Sequence, residues 1–228
     1  VIRLFTGHDA REEVGTWVFA SSVLRNSSVP VQFMPLYKPA LETAFRESFK
    51  EGTNGFTMSR FLIPALCDFS GTAIFADGAD MVCRGDLADL DALRDPQYAV
   101  QVVKHDYVSR HQRKYIGTRM EAGNSHYPRK NWASLMLINC AHPAWREMTP
   151  GAVARWTLAE LLQLRFLPDA LIGSLPLQWN WLCDEYGPSS DAKILHWTAG
   201  IPGFPAYADA PMAPAWRSAH ERMNYATD

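Results

Sequence analysis

The sequence predicts one α/β domain, and three observations carry that expectation. Strand-sized apolar runs alternate with segments whose apolar residues recur at helical spacing, beginning with a strand, a loop and a helix at the N-terminus. Hydrophobic residues make up 47% of the chain and charged residues 20%, enough apolar material for a sizeable core. A length of 228 residues permits one large α/β unit without requiring a second.

Residues 1–5 read as a buried strand, without the basic start and long apolar stretch of a secretory signal. Thr6, Gly7, His8 and Asp9 follow as a loop at the strand's C-terminal edge, where open α/β sheets bind ligands. Asp9 and Glu12 resemble a capping box that starts a helix, along which Val14, Trp17, Val18 and Ser21 keep helical spacing. Residues 31–36 read as a second strand. The polar stretch 51–55 then separates it from a helix-like run over 58–67 that contains Pro64. Residues 72–75 form a short apolar strand running straight into Asp77, Gly78 and Asp80. Strands are expected again over 98–104, 134–138 and 193–197, and a helix over 150–166. The connection 105–132 is too long for a simple turn, and the tail after Pro202 is rich in Pro and Ala.

Composition narrows the ligands. The formal charge is -2, from 22 Lys and Arg against 24 Asp and Glu, so no broad basic field exists for a nucleic-acid backbone and any anion must be caught locally. Cys67, Cys83, Cys140 and Cys183 are scattered without a C-x-x-C pair and read as reduced core residues. Nothing approaches a transmembrane segment. Together these features give the expectation of a cytoplasmic protein. No phosphate loop, dinucleotide fingerprint or nucleophile elbow is present, which removes support for kinase-like, dinucleotide and serine-hydrolase chemistry.

Asp77 and Asp80 are carboxylates three residues apart in a glycine-containing turn after a buried strand. Such a pair can converge on one hard divalent cation and leave coordination positions open for phosphate oxygens. An ordinary turn, with Asp80 capping a helix or solvated, is the competing reading. His196 ends an apolar stretch, so it is either a third ligand or a core histidine satisfied by backbone. The loop after it, containing Gly200, Ile201 and Pro202, lets backbone approach a phosphate closely. Arg60 either neutralises a phosphate or forms a surface ion pair. Asp169 either orients a sugar or caps a helix. The basic and aromatic run 104–115 is either an acceptor flap or a solvated loop, and Trp132, Trp179 and Trp181 line a pocket or fill the core.

Several segments, in order, resemble the bacterial glycosyltransferases related to glycosyltransferase family 8. They are Ile2-Arg-Leu-Phe-Thr-Gly-His-Asp-Ala-Arg11, Ser59-Arg-Phe-Leu-Ile-Pro64 and Ala73-Ile-Phe-Ala-Asp-Gly-Ala-Asp-Met81, followed by Pro128-Arg-Lys-Asn-Trp-Ala-Ser-Leu-Met-Leu-Ile-Asn139, Leu175-Pro-Leu-Gln-Trp-Asn180 and Ile194-Leu-His-Trp-Thr-Ala-Gly200. The resemblance implies a single GT-A domain with a mixed central sheet flanked by helices, a nucleotide-binding part over about 1–105 and a donor-sugar and acceptor part over about 106–228. It implies a UDP-sugar donor, a carbohydrate or glycoconjugate acceptor, Mn²⁺ or Mg²⁺ held by Asp77, Asp80 and His196, and hexosyl transfer with retention. Thr6 to Asp9 would hold the nucleoside. Arg60, Gly78 and Gly200 would lie near the phosphates, and Asn131 and Asp169 would lie beside the sugar.

The chain departs from the family's pattern. Its acidic motif is D-x-x-D, one residue longer than D-x-D. Ile201 and Pro202 stand where many members have a phosphate-gripping Lys, and Phe166-Leu-Pro precedes Asp169 where polar residues are common. Two other functions therefore stay open on the sequence: metal-dependent nucleotidyl transfer or phosphoester hydrolysis, and a degenerate member that binds nucleotide sugars or partners without turnover.

Overall fold

A computed structural model describes residues 1–223, so the last five residues of the expected 106–228 part lie outside the described region. In chain order, β1 (Ile2–His8) leads into α1 (Glu13–Asn26), β2 (Val31–Tyr37) and α2 (Lys38–Phe45). The short α3 (Ile63–Leu66) precedes β3 (Thr72–Ala76), β4 (Met81–Cys83) and α4 (Leu87–Asp91). After β5 (Val100–Val102), the long connection carries a two-residue ladder of β6 (Arg113–Lys114) and β7 (Ala122–Gly123) before β8 (Leu135–Asn139). Then come α5 (Pro150–Arg155), α6 (Leu158–Leu162), β9 (Ile172–Ser174), β10 (Trp181–Leu182), α7 (Cys183–Tyr186), β11 (Ile194–His196) and α8 (Ala213–Glu221).

The main sheet has six strands in the order β2-β1-β3-β8-β5-β9. β1 runs parallel to β2 and β3, while β8 is antiparallel to both β3 and β5, which makes the sheet mixed. Its strands obey the period of two on both faces. Phe5, Ala73, Phe75, Met136 and Ile138 point into one apolar cluster with Phe61, Leu62 and Trp145. Leu4, Ile74, Leu135 and Leu137 point into another with Phe19, Val23 and Leu90. Near-continuous apolar strands follow from this burial on both sides.

A second sheet, β10-β11-β4, sets antiparallel β4 beside β11 with His196 opposite Met81. That register brings the histidine next to the acidic turn that precedes β4. Neither β4 nor its pairing is signalled by the sequence, because three residues show no periodicity.

Several expected elements shift. β1 continues through His8 instead of ending at Phe5, because all seven of its residues pair with β2. α1 buries Val18, Phe19, Ser22 and Val23, leaving Val14 and Trp17 exposed. Asp9 does cap the first turn through Arg11 N, but Glu12 turns inward and bonds Asn54 instead of closing a capping box. The expected helix over 150–166 breaks at Trp156, and a true capping box of Thr157 and Glu160 restarts it as α6. The Pro- and Ala-rich tail contains α8, whose Trp216 packs with Trp197, Val18 and Leu195 in a third apolar cluster. All four cysteines are free and buried. Among the described residues, no helix is long and apolar enough to cross a membrane.

Gly15 fixes how closely α1 approaches the acidic turn. A Cβ there would stand 1.8 Å from the Ala79 carbonyl oxygen, a backbone atom with little room to retreat. Gly15→Ala is expected to lower stability by about 1–3 kcal/mol in urea unfolding, since overpacking outweighs the roughly 1 kcal/mol gained in helix propensity. Because Ala79 lies between Asp77 and Asp80, the same variant is expected to bind Mn²⁺ more weakly in calorimetry.

Candidate functional site

The β3 ladder extends one bond beyond the strand, with Asp77 N donating to Ser134 O at 2.9 Å. The chain then reverses in a three-residue turn closed by Ala79 N to Asp77 O at 2.9 Å, with Gly78 at φ +78°. Only glycine takes that conformation without a Cβ penalty, and a Cβ here would also meet Thr6 Cβ at 3.0 Å. The extra residue of D-x-x-D is thus absorbed in a tight turn, and both carboxylates face the same side. One ligand atom each from Asp77, Asp80 and His196 lies within 4.8 Å of the other two, so the three residues converge.

Hydrogen bonding orients the imidazole. Asn180 Nδ2 donates to Ser134 Oγ at 2.8 Å, and Ser134 Oγ donates to the Asn131 carbonyl at 2.7 Å. The Asn180 side-chain oxygen therefore faces His196 and accepts from its Nδ1–H at 2.9 Å. Nε2 then points at Asp80 Oδ2, 3.2 Å away. A neutral Nε2 lone pair facing a carboxylate is repulsive, so a positive species, proton or metal, belongs between them.

The electrostatics agree. Burial alone would push the His196 pKa down, but Asp80 and then Asp77 reverse this and hold it above its ordinary value. Burial lifts Asp77 to about 6 against the pull of Arg60. Glu12, buried beside the cluster, is lifted to about 8 by burial first and by the charge of Asp80 second. Without a cation, Glu12 and Asp77 are thus driven toward their protonated forms, and a bound cation would favour their charged forms instead.

The residues suit a divalent ion. Two carboxylates and an imidazole are a hard-to-borderline donor set, and Asp77 Oδ1 and Asp80 Oδ1 are both buried without a hydrogen-bond partner. Arg60 Nη1 lies 2.7 Å from Asp77 Oδ1, but off the hydrogen-bonding direction, so that contact is one of charge.

Asp77, Asp80 and His196 open onto a cavity of about 260 Å³, which Arg60 and Asn131 also line. Arg60 is fully buried rather than in a surface pair, donating to the carbonyls of Ala133 and Thr57 and lying 4.7 Å from the Phe75 ring centroid. Asn131 has left-handed backbone, and its side-chain amide donates to Tyr107 Oη at 2.7 Å.

Other expected site residues are not brought to this cavity. Phe56 packs on Gly7, where a Cβ would meet its ring at 2.2 Å, and Gly55 N donates to Asp9. The segment around Asn54 therefore covers the β1 edge at Gly7 and Asp9, while Thr6 is buried against the Gly78 turn and His8 packs on Trp17 and Tyr37. Asp9 is further engaged by Arg11, which with the Gly55 and Arg11 amides overcomes burial and holds its pKa at about 2. Asp169 sits exposed on a short 3-10 turn, paired with Arg129 at 2.6 Å. Gly200 is packed under the ring of Tyr207. Of the tryptophans, Trp179 is core, and neither Trp132 nor Trp181 lines the cavity. Glu12 and Asn180 were legible only as a capping residue and as part of a motif. The 104–115 run does contribute Lys114 and Tyr115 to the lining.

No family profile matches the chain. Protein CDI of Arabidopsis thaliana is 36% identical over 230 residues, covering 97% of this chain and 87% of that protein. Among solved structures, a complex of the galactosyltransferase LgtC with donor and acceptor sugar analogs aligns with a TM-score of 0.62 at 13% identity, covering 100% of this chain and 98% of that one. The glycosyltransferase GlyE of Streptococcus pneumoniae TIGR4 aligns at 0.59 and 13% identity over 96% of this chain, which spans 60% of GlyE. The bifunctional WbbM aligns at 0.61 and 13% identity over 96% of this chain, which spans 51% of WbbM. The mixed sheet flanked by helices is thus a GT-A domain, and by its likeness to the Arabidopsis protein the chain belongs to the family of Protein CDI.

Proposed function

We propose that the protein is a glycosyltransferase related to glycosyltransferase family 8, moving a hexose from a UDP-sugar to a hydroxyl of a carbohydrate or glycoconjugate acceptor with retention. The observation that carries this reading is the convergence of Asp77, Asp80 and His196, with a buried unpartnered oxygen on each Asp, at a polar cavity of a GT-A domain. In this reading the three residues hold Mn²⁺ or Mg²⁺, which when bound stabilises the charge of the departing diphosphate. Asn180 holds the His196 tautomer, Arg60 sets the charge and position of Asp77, and Asn131 borders the sugar. The C1–oxygen bond to the diphosphate breaks, the acceptor oxygen bonds C1, and the acceptor proton leaves with the diphosphate or to water. Residues 1–105 supply the nucleotide side, the segment covering β1 lying next to the nucleoside, and later residues supply the sugar and acceptor side.

Incubation with Mn²⁺, UDP-glucose or UDP-galactose and an acceptor panel is expected to release UDP and a product of unchanged anomeric configuration by NMR. Release of UMP and sugar phosphate would instead identify nucleotidyl transfer or phosphoester hydrolysis. Metal-dependent UDP binding without turnover on any donor would identify a binding protein.

A further inference from the structure

Three cationic side chains reach the cavity, and they differ in what holds them. Arg60 is tied down by charge to Asp77 and by bonds from Nε and Nη1 to two carbonyls. Lys130 donates to Asn124 Oδ1 at 2.6 Å and to the Ser125 carbonyl at 2.8 Å, pinning the long connection to itself. Lys114 lines the same cavity, yet among the described residues its ammonium makes no hydrogen bond and no ion pair, only an approach to the Tyr115 ring at 5.3 Å.

The backbone around Lys114 is firmly placed. Lys114 pairs with Ala122 in the two-stranded ladder, and the next residue, fully buried Tyr115, donates its N–H to the Ala199 carbonyl at 2.7 Å. Ile116 N donates to Tyr207 Oη at 2.9 Å. Farther along, Glu185 accepts from Ser109 Oγ and Arg110 N, fastening the connection to α7. The ammonium is thereby held at a cavity walled by two carboxylates without touching either.

Burial lowers the Lys114 pKa even though Asp80, Asp77 and Glu12 act to raise it, so the ammonium is desolvated without full compensation. A desolvated cation at an open cavity favours an anion. The loop after His196 offers no alternative, because no Lys or Arg occurs between His196 and Arg217.

We propose that Lys114 is the phosphate-binding residue of this cavity, its ammonium contacting the diphosphate of a nucleoside diphosphate ligand while Asp77, Asp80 and His196 face that group through a divalent cation. The proposal rests on the donor-site reading above. It assigns the charge for gripping phosphate to the long connection instead of the loop after His196.

Calorimetry on the full chain tests it, with UDP, inorganic pyrophosphate and uridine as probes, each in EDTA and in MnCl₂. Lys114→Met is expected to weaken UDP and pyrophosphate about 10- to 100-fold, as for a lost hydrogen bond to a charged group, and to change uridine binding less than about twofold. Lys114→Arg is expected to keep most of the affinity, and an unchanged circular dichroism spectrum and thermal midpoint would show that both variants fold. Wild-type affinity for UDP in Lys114→Met overturns the proposal. So does tighter Mn²⁺ binding with UDP unchanged, which would make Lys114 a counter-ion of the carboxylates. Wild-type protein that binds pyrophosphate through Lys114 but no nucleoside diphosphate would sink the donor-site reading and leave the role of Lys114 standing.

Discussion

Asp80→Asn is expected to lower kcat/KM for sugar transfer by about 10³-fold or more, because the several kcal/mol that a cation contributes to a departing diphosphate requires the carboxylate that faces His196. Asn keeps the volume and one oxygen but loses the charge that balances Nε2 and the metal. The loss should appear without turnover as well. Mn²⁺ raises the thermal midpoint of a protein that binds it only when folded, and this increment should vanish in Asp80→Asn. Asp77 takes part through the same cavity, but Arg60 already offsets its charge, so Asp77→Asn should cost less. A variant at Asp80 that retains both full activity and the Mn²⁺ increment would remove the metal site from the mechanism.

The metal-free protein is expected to lose stability as pH rises from about 4 to about 8. Glu12 titrates near 8 in the folded state against an ordinary 4.5, chiefly through burial, and burial likewise lifts Asp77 and Asp184 to about 6. Folded protein therefore holds protons that the unfolded chain has released, and stability falls between the unfolded and folded values. His196 acts in the same direction, since its pKa is raised and its contribution, complete below 6.5, fades as pH climbs through the folded value. Asp9 does not counter the trend, because its stabilisation is lost only on acidification toward about 2. Glu12 alone corresponds to roughly 5 kcal/mol over its full range, and a drop of order 10 °C in thermal midpoint follows for a chain of this size. Glu12→Gln keeps the bond from Asn54 and should flatten the profile, as should Mn²⁺ at the alkaline end. A midpoint that rises with pH in EDTA would contradict the assignment of these buried carboxyls.

Some of the site was legible because the signal is local. Asp77 and Asp80 follow an apolar strand, and a strand end with acidic residues and a glycine at the rim of an α/β sheet is either a cation site or an ordinary turn, so the candidates could be named there. His196 likewise ends an apolar run, so its place at a strand end could be read directly. Arg60 could not be separated from a surface arginine, since nothing within a few residues reports that Phe56, Phe75 and two carbonyls enclose it. Asp169 reads in the sequence as either a sugar contact or a helix cap, and the structure shows Arg129 pairing with it at the surface.

By itself the sequence determined an α/β domain and its main strands and marked Asp77, Asp80 and His196 as candidate ligands, because burial on both sheet faces forces apolar runs and chain reversal exposes polar ends. The tertiary structure alone decided that β4 and β11 set His196 against Asp80, that residues around Asn54 cover the β1 edge, and that Lys114 reaches the cavity from a loop. Those facts depend on pairings between residues tens of positions apart, and side-chain periodicity along one strand or helix carries no information about which distant strand or loop will pack beside it.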